Sequence, residues 1–276
     1  NSGNNIFVYY LFRTVGTVSH PNNGALSAST GTFSDAVTIN DGDAGSVTAN
    51  TVADELVVES SGAGGMSILT PDASDANLFL GGPGANAGAI VRWNDDSNLM
   101  SIGTNNTGGT MALKIGGFTD ALTIDANGHV LKPLQSAFHV GGIGTQNDLS
   151  TGTDHTIIFT TERFDQNSDY NTSTGEFTAP VTGKYQFSFI IYVNDIDTGA
   201  TFYQAKLKTS NLTYIFIIDP NFSYDLSYYT FHAPALLVDM DASDTAKIQI
   251  TQTGGNAQTD VSNNTSYTAF SGYLVC

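Results

Sequence analysis

Cysteine occurs once in 276 residues, at Cys276, which excludes a disulfide framework and any cysteine-built metal centre. Basic residues are scarce as well: nine Lys and Arg stand against 26 acids, for a formal charge of −17. A face that tracks nucleic-acid phosphates needs clustered Lys and Arg. No such cluster stands out along the chain, so no nucleic-acid partner is expected. Only four of the acids are Glu, and with Lys and Arg equally thin the strong helix formers are largely missing. Nor is there any run of about 18 apolar residues, so no membrane-spanning segment is expected. No secretory signal opens the chain, and a start at Asn1 rather than Met reads as a processed piece of a longer protein.

What remains is a vocabulary of strands and turns, with 29 glycines and 40% hydrophobic residues. The most ordered stretch is Arg163 to Val193. Phe164 ends an aromatic strand, a polar run leads to Tyr170, and Asn171–Gly175 makes a turn. A short strand at Glu176–Thr178 and a second turn at Ala179–Gly183 follow. Gly175 and Gly183 can take φ > 0 and Pro180 fixes its own φ, so the chain is directed to reverse twice. Tyr185, Phe187, Phe189 and Ile191 then recur at period two, the pattern of a strand on a sandwich core. Further strands are expected at Phe138–Val140, Thr156–Thr160, Thr201–Thr209, Thr213–Ile218, Tyr228–Val238, Ala246–Thr253 and Thr265–Val275.

The order Phe164, Tyr170, Gly175, Phe177, Pro180, Gly183, Tyr185, Phe187 resembles the globular head of complement component one q, a relative of the tumour necrosis factor jelly roll. Ser136–Val140 looks like that family's opening strand and Phe270–Val275 like its closing one. The resemblance implies a jelly-roll sandwich over residues 133–276, in a family of trimers, with both termini at the base of the head. Before it, seven short segments alternate with glycine turns: Leu56–Glu59, Met66–Leu69, Asn77–Leu80, Ala89–Trp93, Leu99–Ile102, Met111–Ile115 and Ala121–Ile124. Strands of about four residues bury little alone, and small units of this kind commonly need oligomerisation. Residues 99–128 resemble a module of bacteriophage tail fibres, which are homotrimers. The chain therefore reads as all-β: the end of an upstream β domain (1–24, with strands at Asn5–Arg13 and Val15–Val18), an extended connector (25–54), a trimeric shaft module (55–132) and the head.

Catalytic patterns are weak. There is no Gly-x-Ser-x-Gly elbow, the histidines are scattered, and Gly81–Gly84 lacks the Lys-Ser/Thr of a phosphate loop. Glycosidase chemistry needs two carboxylates across a sugar-sized cleft, and no cleft-bearing domain is in view. An enzyme is not expected. Counting antiparallel strands back from the head's closing strand places three connections at its apex: 194–200, 219–227 and 254–264. They carry Asp195, Asp197, Asp219, Phe222, Tyr224, Asp225, Asp260, Asn263 and Asn264. Acids beside aromatics suit sugar stacking and oxygen-ligand calcium, set against the plain reading of a wet loop surface. The expected role is structural and host-recognising: the distal part of a virion fibre, in contact with other fibre or tail proteins and exposed to the medium, whose head meets a host glycan or protein. A purely architectural trimer clamp is the alternative, and a surface-polysaccharide depolymerase the third reading.

Overall fold

The computed structural model describes residues 37–42, 44–45, 47–144, 146–221 and 226–276. The expected strands at Asn5–Arg13 and Val15–Val18, with the domain at 1–24, lie outside the described residues, as do Phe222, Tyr224 and Asp225. Among the described residues every regular element is a strand. The chain divides into a first unit, up to Ala76 with Asn94–Asn98, and a second, Asn77–Trp93 with Leu99–Cys276.

In the first unit β1 (Val37–Asp41) and β2 (Leu56–Ser60) pair in parallel, Val37 opposite Leu56. β1 falls in the stretch expected as a connector. Glu59 ties the pair together, its carboxylate accepting from Asn40 Nδ2 at 2.9 Å and from the Ala44 N–H at 3.0 Å. The strand expected at Met66–Leu69 does not form. Gly62, Gly64 and Gly65 precede it, and Leu69 stays 88% exposed, so no neighbouring strand rewards extension.

Next in the chain, β3 (Asp75–Gly82), β4 (Ala85–Asn94) and β5 (Leu99–Thr104) form one three-stranded sheet, and β6 (Met111–Ile115), β7 (Thr119–Ile124) and β8 (Val130–Leu131) another. None of the described residues before Ser136 is buried. Apolar side chains such as Leu80, Ile102, Leu113, Phe118 and Val130 stand exposed instead.

From Ser136 the character changes. The strands are β9 (Ala137–Ile143), β10 (His155–Thr156), β11 (Phe159–Asp165), β12 (Tyr170–Asn171), β13 (Glu176–Thr178), β14 (Gly183–Asn194), β15 (Phe202–Thr209), β16 (Thr213–Ile218), β17 (Tyr228–Met240), β18 (Thr245–Thr253), β19 (Asp260–Val261) and β20 (Ala269–Leu274). They build a jelly roll of two sheets. One runs β12-β13-β18-β15-β16 with β10 on β18; the other runs β11-β9-β20-β14-β17 with β19 on β14. The strand expected at Thr156–Thr160 is in fact two. Thr156 pairs with Gln249 in one sheet and Phe159 with Ile143 in the other, so the chain changes sheets at residues 157–158.

Tyr185, Phe187, Phe189, Ile191 and Val193 all point inward along β14. Phe138 stacks on Phe177 (centroids 5.0 Å apart) and on Tyr170 (5.4 Å), and meets Phe270 edge-on at 5.0 Å. Since Phe138 and Phe270 belong to one sheet and Tyr170 and Phe177 to the other, these rings close the sandwich. Each buried ring contributes about 1.5–3 kcal/mol of transfer free energy, and favourable pairs about 0.5–1.5 kcal/mol more. Of the aromatics on β14 and β15, Tyr185, Phe187, Phe189 and Tyr203 lie in this core, and Tyr192 and Phe202 are half-buried.

Gly175 does take φ +75°. Gly183 does not; it is glycine because a Cβ there would meet the Cys276 carbonyl at 2.5 Å. Pro234, which cannot donate to a ladder, sits in edge strand β17 where its register against β14 slips, between Ala233 and Leu236.

Two predictions follow from this packing. A Cβ on Gly272 would enter the Phe187 ring and approach Phe138 to 2.9 Å. Gly272→Val should therefore cost at least about 3 kcal/mol, read as a lower urea midpoint, with partial recovery when Phe187 is cut to Leu. Residues 133–276, expressed alone, should melt cooperatively by circular dichroism, whereas 55–132 alone should not, because it has no buried residue to lose.

Candidate functional site

β14 is twelve residues long, about 36 Å at 3.3 Å per residue. At its first end Lys184 N–H donates to the Cys276 carbonyl and Leu274 N–H to Ser136, so both ends of the sandwich chain meet there. At its far end Asn194 opposes Asp260 of β19 on one side and Tyr228 of β17 on the other. Residues in register across three strands share one face, so Asp260, Asn194 and Tyr228 form a row.

The connections 194–200 and 254–260 are bound to each other here. Asp197 is 8% exposed. Its carboxylate accepts the Gly199 N–H at 2.8 Å and the Asn256 N–H. Its own N–H donates to the Tyr203 hydroxyl at 2.9 Å, which meets Thr259 Oγ1 at 2.8 Å, and Thr259 donates to Gln252 Oε1 at 2.9 Å. A satisfied buried network of this kind fixes loops on a core. Burial pushes the Tyr203 hydroxyl pKa up, leaving it a neutral donor. Asp197 is thus a nearly buried loop fastener whose two carboxylate oxygens each accept a backbone N–H, in contrast to the exposed ligand role expected for it.

Of the other expected residues, Asp195 is exposed at φ +51°, its carbonyl accepting from Gln258 Nε2 at 3.3 Å. Asp260 Oδ1 accepts the Asp148 N–H at 2.8 Å, and Asn264 Oδ1 the Ser266 N–H at 2.8 Å. Asp219 is exposed and makes a turn with the Asn221 N–H at 3.0 Å. The sole bond linking 219–227 to the 194–200 connection among those described is Asp195 N–H to the Ser227 carbonyl, at 3.0 Å. Phe222, Tyr224 and Asp225 lie outside the described residues.

Asp260 and Asn263 do come together, with Gly144, Asn147, Asn194, Val261 and Ser262, around a polar hollow of about 230 Å³. A fourth connection, 144–152, was not foreseen. Leu149 N–H bonds to Thr259 O, and Val261 N–H to Gln146 O. No sequence pattern marks it, since only the cross-chain bonds reveal it. Beside the hollow, Tyr228 stacks on Tyr192 at 5.3 Å and Tyr267 leans on it at 5.4 Å. Three amides, a hydroxyl and a carboxylate beside exposed phenol rings can bind a hydroxyl-rich ligand, donating and accepting at its edge and stacking on its C–H face. Among the described residues no group of three or more His, Cys, Asp or Glu could hold a metal ion.

Further down the outward face of the same sheet, His139 and His232 flank a shallow depression of about 310 Å³ floored by Ile190, Ala269 and the Ser188–Ser271 hydroxyl pair, 2.7 Å apart. A wider opening of about 450 Å³ in the first unit is lined by Ala44, Val47, Val57, Val58 and neighbours, with Glu59 the one ionisable group among the described residues, already engaged as above.

With the geometry in place, comparison with known proteins gives the class: the C1q domain model matches residues 137–275, half of the chain. The chain belongs to the C1q domain family. No curated protein matches it. Among solved structures it is similar to the globular domain of zebrafish complement 1qA (18% identity, 51% of this chain and 98% of that one, TM-score 0.38). It is also similar to murine APRIL (10%, 51% and 99%, TM-score 0.39) and to Eiger TNF from S. frugiperda (12%, 51% and 93%, TM-score 0.37).

Asp197→Ala should cost about 1–3 kcal/mol by stranding backbone donors, and amide exchange should accelerate at Gly199 and Asn256 more than in β14. A pH effect follows from His139, whose pKa is held below the usual 6.5 by burial and then by Arg163. Between the lowered value and 6.5 the unfolded chain binds more protons, so stability should fall as pH drops through that window and level off beneath it. His139→Gln should flatten that part of the urea-midpoint profile.

Proposed function

We propose that this chain is a recognition module of a fibre: the distal part of a virion fibre of bacteriophage type, a homotrimer exposed to the medium, whose C-terminal sandwich contacts a surface glycan of the host. The observation that carries this reading is the polar hollow with its tyrosine flank, at the end of the sandwich opposite the point where its chain ends meet. A binding site at the tip of a fibre must face away from the stalk. Its members hold two of the residues chosen on sequence grounds, Asp260 and Asn263.

Trimerisation is supported from a different direction. Among the described residues up to 135, Ile39, Leu56, Leu80, Ile102, Leu113 and Phe118 stand uncovered and none is buried, so these strands lack an interior that further copies would supply. Three copies would also multiply weak single sites into avidity. The purely architectural clamp shares that support and lacks a use for the hollow. Calcium is not needed by this reading, since the hollow offers one carboxylate and otherwise neutral oxygens and amides. Other fibre proteins are the partners to be sought on the N-terminal side.

The test is adsorption to host cells of the full chain carrying Asn194→Ala and Asn263→Ala. Loss of tenfold or more in adsorption, with unchanged oligomer mass and melting temperature, is the expected result. Adsorption equal to the parent's would remove the hollow as receptor site and favour the clamp.

A further inference from the structure

The second sheet carries a surface that the linear chain hides. Its outward side chains form a grid fixed by register. In one row Glu176 opposes Lys247, Lys247 opposes Lys208, and Lys208 opposes Thr213. In the next, Thr156 opposes Gln249, Gln249 opposes Lys206, and Lys206 opposes Ile215. In the third, Thr251 opposes Gln204 and Gln204 opposes Ile217. Three of the chain's nine cations thus share one patch of a protein whose net charge is −17.

Two of the three are partly offset. Lys206 Nζ lies 2.6 Å from Asp154, which also accepts from Thr251 Oγ1 at 2.5 Å, and Lys247 Nζ lies 2.7 Å from Glu176. These contacts, Lys206 first, hold the Asp154 carboxyl below its ordinary range. Lys208 is exposed and forms no ion pair among the described residues, although its charge also acts on Asp154 from a longer distance. Like charges directly opposed across strands, as Lys208 and Lys247 are, destabilise a sheet. At the centre, Gln249 is 6% exposed and its Oε1 has no donor among the described residues. The grid therefore combines a spare cation, an unfavourable cation pair and an unmet acceptor.

We infer that this face binds an acidic polysaccharide, its carboxylates received between Lys208 and Lys247 and its hydroxyls by Gln204 and the open Gln249 Oε1, since Thr251 is buried on Asp154 and Thr156 already accepts from Gln249 Nε2. An anion at that position relieves the Lys208–Lys247 repulsion, and the outward row Lys208, Lys206, Gln204 extends about 13 Å along β15, four steps at 3.3 Å. No aromatic ring stands in the three rows, so bases would have nothing to stack on and single-stranded nucleic acid is a poor fit. This surface is on the other sheet from the polar hollow, and the inference does not depend on the hollow's role.

The experiment is binding of the full chain to polygalacturonate, dextran and single-stranded DNA at low and physiological salt. Polygalacturonate should bind at least tenfold more tightly than either other polymer, with affinity falling as salt rises. Lys208→Gln with Lys247→Gln should remove that preference. Glu176→Gln, which frees Lys247, should tighten binding, and this gain cannot come from misfolding. Lys132→Gln, off the grid, should change nothing. Dextran or DNA binding as well as polygalacturonate, no binding by the parent, a double variant that binds like the parent, or weaker binding by Glu176→Gln would each overturn the inference.

Discussion

The interlock of rings around Phe138 is the constraint on which everything else in the sandwich rests. Phe138 and Phe270 from one sheet and Tyr170 and Phe177 from the other cannot approach to 5.0–5.4 Å unless β9, β12, β13 and β20 hold their registers. Register in turn fixes which residues face outward. The same alternation that buries Phe187 and Phe189 turns Ser188, Ile190, Tyr192 and Asn194 toward the outside. One ladder therefore sets the core, the histidine-flanked depression and the row leading to the polar hollow.

The two parts of the chain use their apolar residues in opposite ways. After Ser136 most of them point into a shared interior; among the described residues before it they form short ladders with no buried member. A parallel pair such as β1 and β2 normally has both faces covered, and a two-stranded sheet is marginal in water. Such strands need further copies or partners more than they need each other.

Legibility from sequence followed the range of the interactions. The period-two run Tyr185–Val193 is local, so β14 was readable, as were β6 and β16 to the residue. The jelly roll was readable because Phe164, Tyr170, Gly175, Phe177, Pro180, Gly183, Tyr185 and Phe187 keep an order that resembles the C1q domain, and that family model matches residues 137–275. The sheet change at residues 157–158 was not, because Ile157 and Phe159 are both buried and read as one apolar strand. The lysine grid was invisible for a stronger reason: Lys208 and Lys247 are 39 positions apart and meet only through the β15–β18 register. Asp197 shows the opposite error. An acid in a loop looks free, and here its carboxylate closes the loops instead.

The uncovered strands described before residue 136 would be completed by other copies of the chain. Sedimentation equilibrium of residues 1–276 at micromolar concentration addresses that claim without reference to any ligand. A single species of three times the chain mass, persisting at low and physiological salt, is the predicted result. A stable monomer with its apolar ladders still folded by circular dichroism would contradict it.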